Sequence, residues 1–155
     1  MPPFVFYLGG GNQMPVVPKH ASLSLKSRIV TAVAPACVAG ADIASQAIFV
    51  APANIVISKA TIVGRAASVG IDAANTSVWI LQTRLAGVET TLHSVTFNNV
   101  LAFPAAFTPY ALGIALGTGF RIPAGTLIAF TVTNGATAAT PETLVQIEYW
   151  INEDV

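Results

Sequence analysis

The 155-residue chain is poor in charge: only 9% of its residues are Asp, Glu, Lys or Arg, against roughly 25% in an ordinary soluble domain. Seven basic and seven acidic residues leave a formal net charge of zero. With no excess of Lys and Arg, the chain lacks the electrostatic footprint of a nucleic-acid binder. With so little charge of either sign, it lacks the surface of a free, highly soluble monomer. Disorder is excluded from the other side. Hydrophobic residues make up 54% of the chain and mean hydropathy is +0.68, whereas disordered segments are polar and charged. Cysteine is nearly absent as well. Cys37 stands alone, so no internal disulfide can form. It lies in the apolar run Ala34-Pro35-Ala36-Cys37-Val38-Ala39, where a buried inert thiol is expected; a nucleophile needs a low thiolate pKa and an adjacent base.

Catalytic constellations are missing too. Neither His20 nor His93 has a second His or Cys at metal-ligand spacing, and both read as structural. There is no Gly-x-Ser-x-Gly elbow, and Ser94 beside His93 in a strand points to the opposite face. The acids Asp42, Asp72, Glu89, Glu142, Glu148, Glu153 and Asp154 offer no recognisable pair for glycoside hydrolysis. Gly9-Gly10-Gly11-Asn12 lacks the Lys-Ser/Thr ending of a phosphate loop, and Gly117-Thr118-Gly119-Phe120 lacks the third glycine of a dinucleotide fingerprint. No catalytic residue, metal site or cofactor is therefore expected. In the polar loop 70–77, Asp72 and Asn75 carry oxygens suited to calcium, but one carboxylate is too few. Bonding to the turn's own backbone is the preferred reading. Asn75-Thr76-Ser77 fits a glycosylation acceptor, yet the start of the chain lacks the basic region of a secretory leader. The uncharged stretch Thr90–Phe120 is long enough to span a bilayer. Pro104, Pro109, Gly113, Gly117 and Gly119 interrupt it, so no membrane helix is expected.

What the chain has in quantity is β-branched side chains: Val, Ile and Thr supply 45 of its 155 residues, and such residues favour strands. The 26 alanines keep no helical period between breakers. Strands are expected near 23–33, 45–51, 54–64, 76–85, 91–100, 110–116, 125–133 and 143–152. In the last, Val145, Ile147, Tyr149 and Ile151 share one face, with Gln146, Glu148, Trp150 and Asn152 opposite. In 125–133, Ile128, Phe130 and Val132 oppose Ala129, Thr131 and Thr133, and Arg121-Ile122-Pro123-Ala124-Gly125 reads as the turn feeding that strand. Short strands at this spacing, with no helices between, predict an all-β fold: an antiparallel β-sandwich, jelly-roll-like, over residues 22–155.

Residues 1–21 read differently, as an extended N-terminal arm. Pro2, Pro3, Pro15 and Pro18 stiffen it and Gly9–Gly11 give it a hinge. Phe4, Phe6, Tyr7 and Leu8 are costly in water, which marks a segment that docks. Together with Lys19, Lys26 and Arg28 they are the candidate partner-binding residues.

An arm ahead of one Ala/Val/Thr-rich sandwich, the loop Gly70-Ile71-Asp72-Ala73-Ala74-Asn75-Thr76, the strand Val78-Trp79-Ile80-Leu81 and the strand opening Ile122-Pro123-Ala124-Gly125-Thr126-Leu127 together resemble a family. They are similar to the auxiliary virion proteins of tailed bacteriophages, in particular the capsid decoration or cement proteins. That resemblance implies a non-enzymatic structural protein on the capsid exterior, assembled in the host cytoplasm. It implies two partners, the major capsid protein and further copies of the chain itself, as a homotrimer. The low charge independently favours an oligomer. The alternative is a receptor- or carbohydrate-binding head of a phage tail or fibre, for which Trp79 and Trp150 are the candidate stacking residues.

Overall fold

The computed structural model describes residues 27–113 and 121–151. The expected arm, with Phe4, Phe6, Tyr7, Leu8, Lys19 and Lys26, lies outside these residues, as do His20, Glu153 and Asp154. Among the described residues nine strands are formed: β1 (Ser27–Ala34), β2 (Ile43–Val50), β3 (Ile55–Gly64), β4 (Ser77–Leu85), β5 (Val88–Phe97), β6 (Pro109–Leu112), β7 (Arg121–Ile122), β8 (Leu127–Asn134) and β9 (Thr143–Ile151). They make two sheets, ordered β1-β9-β3-β6 with β7 also on β3, and β2-β8-β4-β5. Every pairing is antiparallel. The all-β sandwich is as the sequence predicts.

The topology follows from one long hairpin. β4 and β5 join through the two-residue turn Ala86–Gly87, both at positive φ, the geometry that matches strand twist. Outward from this turn, β3 pairs with β6 and β7, β2 with β8, and β1 with β9. Each pair is centred near the same point of the chain. Rolling this ribbon up adds the β3–β9 and β4–β8 pairings and closes a jelly roll. Successive crossings between sheets leave two unlike ends. The tip end gathers the 86–87 turn, the β2–β3 turn, the β7–β8 turn, the start of β1 and the end of β9. The opposite end gathers the longer loops 35–42, 65–76, 98–108 and 135–142.

The core lies between the sheets. Ile55, Ile57 and Ile62 of β3 and Val145 and Ile147 of β9 face Trp79 and Leu81 of β4 and Ile128, Phe130 and Val132 of β8. Aromatic contacts fix the packing. Trp79 stacks on Phe130 at 5.9 Å, and Phe49 of one sheet stacks on Tyr149 of the other at 5.0 Å. A buried polar chain crosses the opposite end: Trp79 Nε1 donates to Ser77 Oγ, which donates to Asn134 Oδ1 at 2.7 Å, while the Asn134 backbone N–H donates to Asp42 Oδ1 at 2.9 Å. Each buried group there has a partner, as a low-dielectric interior requires.

Three local expectations need correction. β5 spans Val88–Phe97 rather than 91–100, because Asn98 Oδ1 accepts the N–H groups of Val100 and Leu101 and turns the chain. Arg121 and Ile122 belong to a short strand on β3; the turn proper begins at Pro123, where the Thr126 N–H donates to the Pro123 carbonyl. Ala129 does point away from the core, yet it is only 1% exposed. It sits in a cross-strand row between Ala47 and Gln82, flanked by a strand on either side.

Candidate functional site

Both broad faces of the sandwich carry little charge. On the outer face of the β2-β8-β4-β5 sheet, cross-strand rows read Thr133–Val78–Thr96, Thr131–Ile80–Ser94 and Ala129–Gln82–Thr91. Its described charges, Arg84 and Glu89, pair with each other near the tip. On the other sheet, the rows Val33–Leu144–Val63–Pro109 and Thr31–Gln146–Thr61–Ala111 run from edge to edge. Among the described residues, the charges on that side are Lys59 and Glu148, which lie opposite each other, Arg121 at one corner, and the exposed Arg65–Glu142 ion pair just beyond the Gly64–Thr143 pairing. Ile29 is 66% exposed and Val33 47% exposed, both on β1, the edge strand. An edge strand of eight residues with one charged side chain, Arg28, presents a row of backbone groups without a strand partner among the described residues, suited to strand addition. Arg28 itself is exposed and lies across from Tyr149.

A concave site occurs at the tip end. A groove of about 420 Å³ opens between the β4–β5 hairpin and the β7–β8 turn. Leu85, Val88, Leu92, Ile122 and Pro123 give it apolar walls; Thr83, Thr90, Thr126 and Arg121 add polar groups. The Thr126 hydroxyl is buried and has no hydrogen-bond partner among the described residues. None of these residues was a candidate from the sequence. The signals were present only as separate fragments: an apolar hairpin tip, Leu85-Ala86-Gly87-Val88, and the Arg121-Ile122-Pro123 entry to a strand. Nothing local brings them together; the rolled hairpin does.

The remaining candidates are placed in structural roles. Asp72 closes its own turn: Oδ1 accepts the N–H groups of Ala74 at 2.7 Å and Asn75 at 2.8 Å, and the Asn75 side-chain amide at 3.3 Å. The backbone donors of Asn75 and Ala74 hold its carboxyl below the usual carboxylate value. Asn75 Oδ1 accepts the Thr137 N–H across to the next loop. Both residues are thus engaged as the turn reading expects. Among the described residues, no three His, Cys, Asp or Glu side chains gather as a metal site. Cys37 is buried, its backbone paired to Thr140; burial pushes its thiol up, partly offset by a hydrogen bond with the Thr140 side chain. His93 is half-buried in β5. The two tryptophans do not form a platform. Trp79 is 2% exposed in the core, whereas Trp150 is 41% exposed on the face of the other sheet.

Compared with known protein families, the chain matches none. It matches no curated protein either.

Proposed function

We propose that the chain is a non-enzymatic virion structural protein, a decoration protein that binds and reinforces a phage capsid lattice from outside. The observation that carries this reading is the pair of broad faces built from threonine, alanine and exposed aliphatic side chains. Such faces suit close contact with other chains, and large apolar patches on a soluble protein mark partner surfaces. The partners are the major capsid protein and other copies of this chain, assembled as a trimer. A closed ring also covers the edge strand β1, which left open invites aggregation. Attachment rests on apolar burial and backbone hydrogen bonding, with the arm adding a strand or an anchor. A receptor- or sugar-binding head is the weaker reading, because Trp79 is enclosed and leaves no exposed tryptophan pair for stacking.

Co-sedimentation with undecorated capsids of the phage encoding the protein tests the reading. Binding saturates at a fixed ratio to the major capsid protein and raises the temperature at which capsids rupture. Protein that stays in the supernatant, or binds without changing rupture, overturns it. Raising sodium chloride weakens attachment only modestly, since screening acts on charge pairs and few are present. Light scattering on the free protein reads the trimer; a monomer at micromolar concentration refutes the oligomer and a dimer refutes the three-fold ring.

A further inference from the structure

The tip groove stands apart from the two broad faces, and the strands place the root of the arm beside it. Ser27 begins β1 and pairs with Trp150; Trp150 pairs with Val56; Val56 pairs with Arg121 at the groove rim. Three strand spacings separate Ser27 from Arg121, about 14–15 Å. Eighteen residues lie between Leu8 and Ser27, a tether of up to about 60 Å. The tether therefore reaches the groove of its own sandwich several times over, and an attached segment arrives there at high effective concentration.

We propose that the tip groove is the docking site of the chain's own segment Phe4–Leu8, folded back onto the sandwich from which it leaves. The chemistry of the two matches. The groove offers aliphatic walls at Leu85, Val88 and Ile122 and a volume in the roughly 300–1,000 Å³ span of ligand pockets. The segment offers Phe4, Phe6, Tyr7 and Leu8, and Gly9–Gly11 supply the reversal needed to bring it back. An extended segment also brings free backbone carbonyls. Thr126 keeps a buried hydroxyl in the groove wall with no partner among the described residues, a state native structures seldom leave unexplained. Arg121 at the rim can lie over an aromatic face. The acidic Glu153–Asp154 segment leaves the same end after Ile151, which lies two strands from Ile122 through Ile55. It fits worse, because carboxylates would be desolvated against aliphatic walls with one cation to meet them.

The inference concerns the free protein, so its test is independent of the capsid reading. In a Cys37→Ala background, disulfide trapping compares Phe6→Cys/Val88→Cys with Phe6→Cys/Val38→Cys. Val88 lines the groove; Val38 is exposed at the opposite end. The first pair is expected to close within one chain about tenfold faster than the second, as docking raises local concentration. Equal rates overturn the proposal. So do predominant disulfide-linked dimers, which place a second copy's segment in the groove, and faster closure of Glu153→Cys/Val88→Cys, which places the acidic segment there. Hydrogen exchange supplies a readout that needs no new cysteine. Deleting residues 1–12 should speed exchange at 85–92 and 121–126, with no change at 135–142. Unchanged protection at the groove overturns the proposal.

Discussion

Gly70 and Gly87 both adopt positive φ, at +68° and +83°, yet replacing each with alanine should have unequal consequences. A Cβ on Gly87 meets nothing within 4 Å, so Gly87→Ala carries the backbone term alone. That term is roughly 1–2 kcal/mol for an L-residue in the left-handed region. A Cβ on Gly70 falls 2.1 Å from the Thr137 carbonyl oxygen and 2.8 Å from its carbon. Backbone atoms cannot rotate aside, so the 65–76 and 135–142 loops must separate. The contacts at risk are the two Val69–Ala139 backbone bonds, the Thr137 hydroxyl bond to the Gly70 carbonyl and the Thr137 N–H bond to Asn75. At about 0.5 kcal/mol each, the low end of the net value and suited to bonds near solvent, the loss of these four adds about 2 kcal/mol. Gly70→Ala should therefore cost roughly 3–4 kcal/mol in total, the sum of the backbone and hydrogen-bond terms. At this chain length 1 kcal/mol shifts Tm by about 2–4 °C, so the expected drops are roughly 6–16 °C for Gly70→Ala and roughly 2–8 °C for Gly87→Ala. Thermal unfolding followed by near-ultraviolet circular dichroism reads both. Equal drops would refute the reasoning, because the close approach of the two loops would then contribute nothing.

Three further outcomes follow from single side chains. Acrylamide should quench the fluorescence in two populations, with Trp150→Phe removing the accessible one, because Trp79 is enclosed against Phe130; one uniform population would contradict that placement. Cys37 should resist a thiol reagent at pH 8 until the protein unfolds. Because burial raises its pKa from 9.0, its contribution to stability is complete below about pH 9 and is lost as pH rises through the folded value; rapid native-state labelling would show the thiol is open. Asp72 has the opposite sign. Its carboxyl is held below 3.8 by backbone donors, so its contribution is present above that value and is lost as pH falls through the folded one. Asp72→Asn should remove this acid-limb dependence, and an unchanged pH profile of unfolding would exclude Asp72 as its source.

The strands and their inward faces can be read from residue order alone. Val145, Ile147 and Tyr149 alternate with Gln146, Glu148 and Trp150, and a period of two admits only one face to a core. The turn at Asp72 was legible for the same reason: its partners, Ala74 and Asn75, are two and three residues away. The ends of β5 and β7 were not legible, because Asn98 and the β3 pairing decide them, and the second of these is distant in sequence. Alternation also said nothing about how much cover an outward residue receives. Trp150 is 41% exposed, while Ala129, flanked by strands on both sides, is 1% exposed. The tip groove belongs wholly to the tertiary structure. Leu85 and Val88 come from one strand pair, Ile122 from β7 and Thr126 from the turn after it, more than thirty residues later, and only the rolled hairpin sets them side by side. Local periodicity reports which way a side chain points; which distant side chain it then meets depends on sheet closure, whose pairings are long-range.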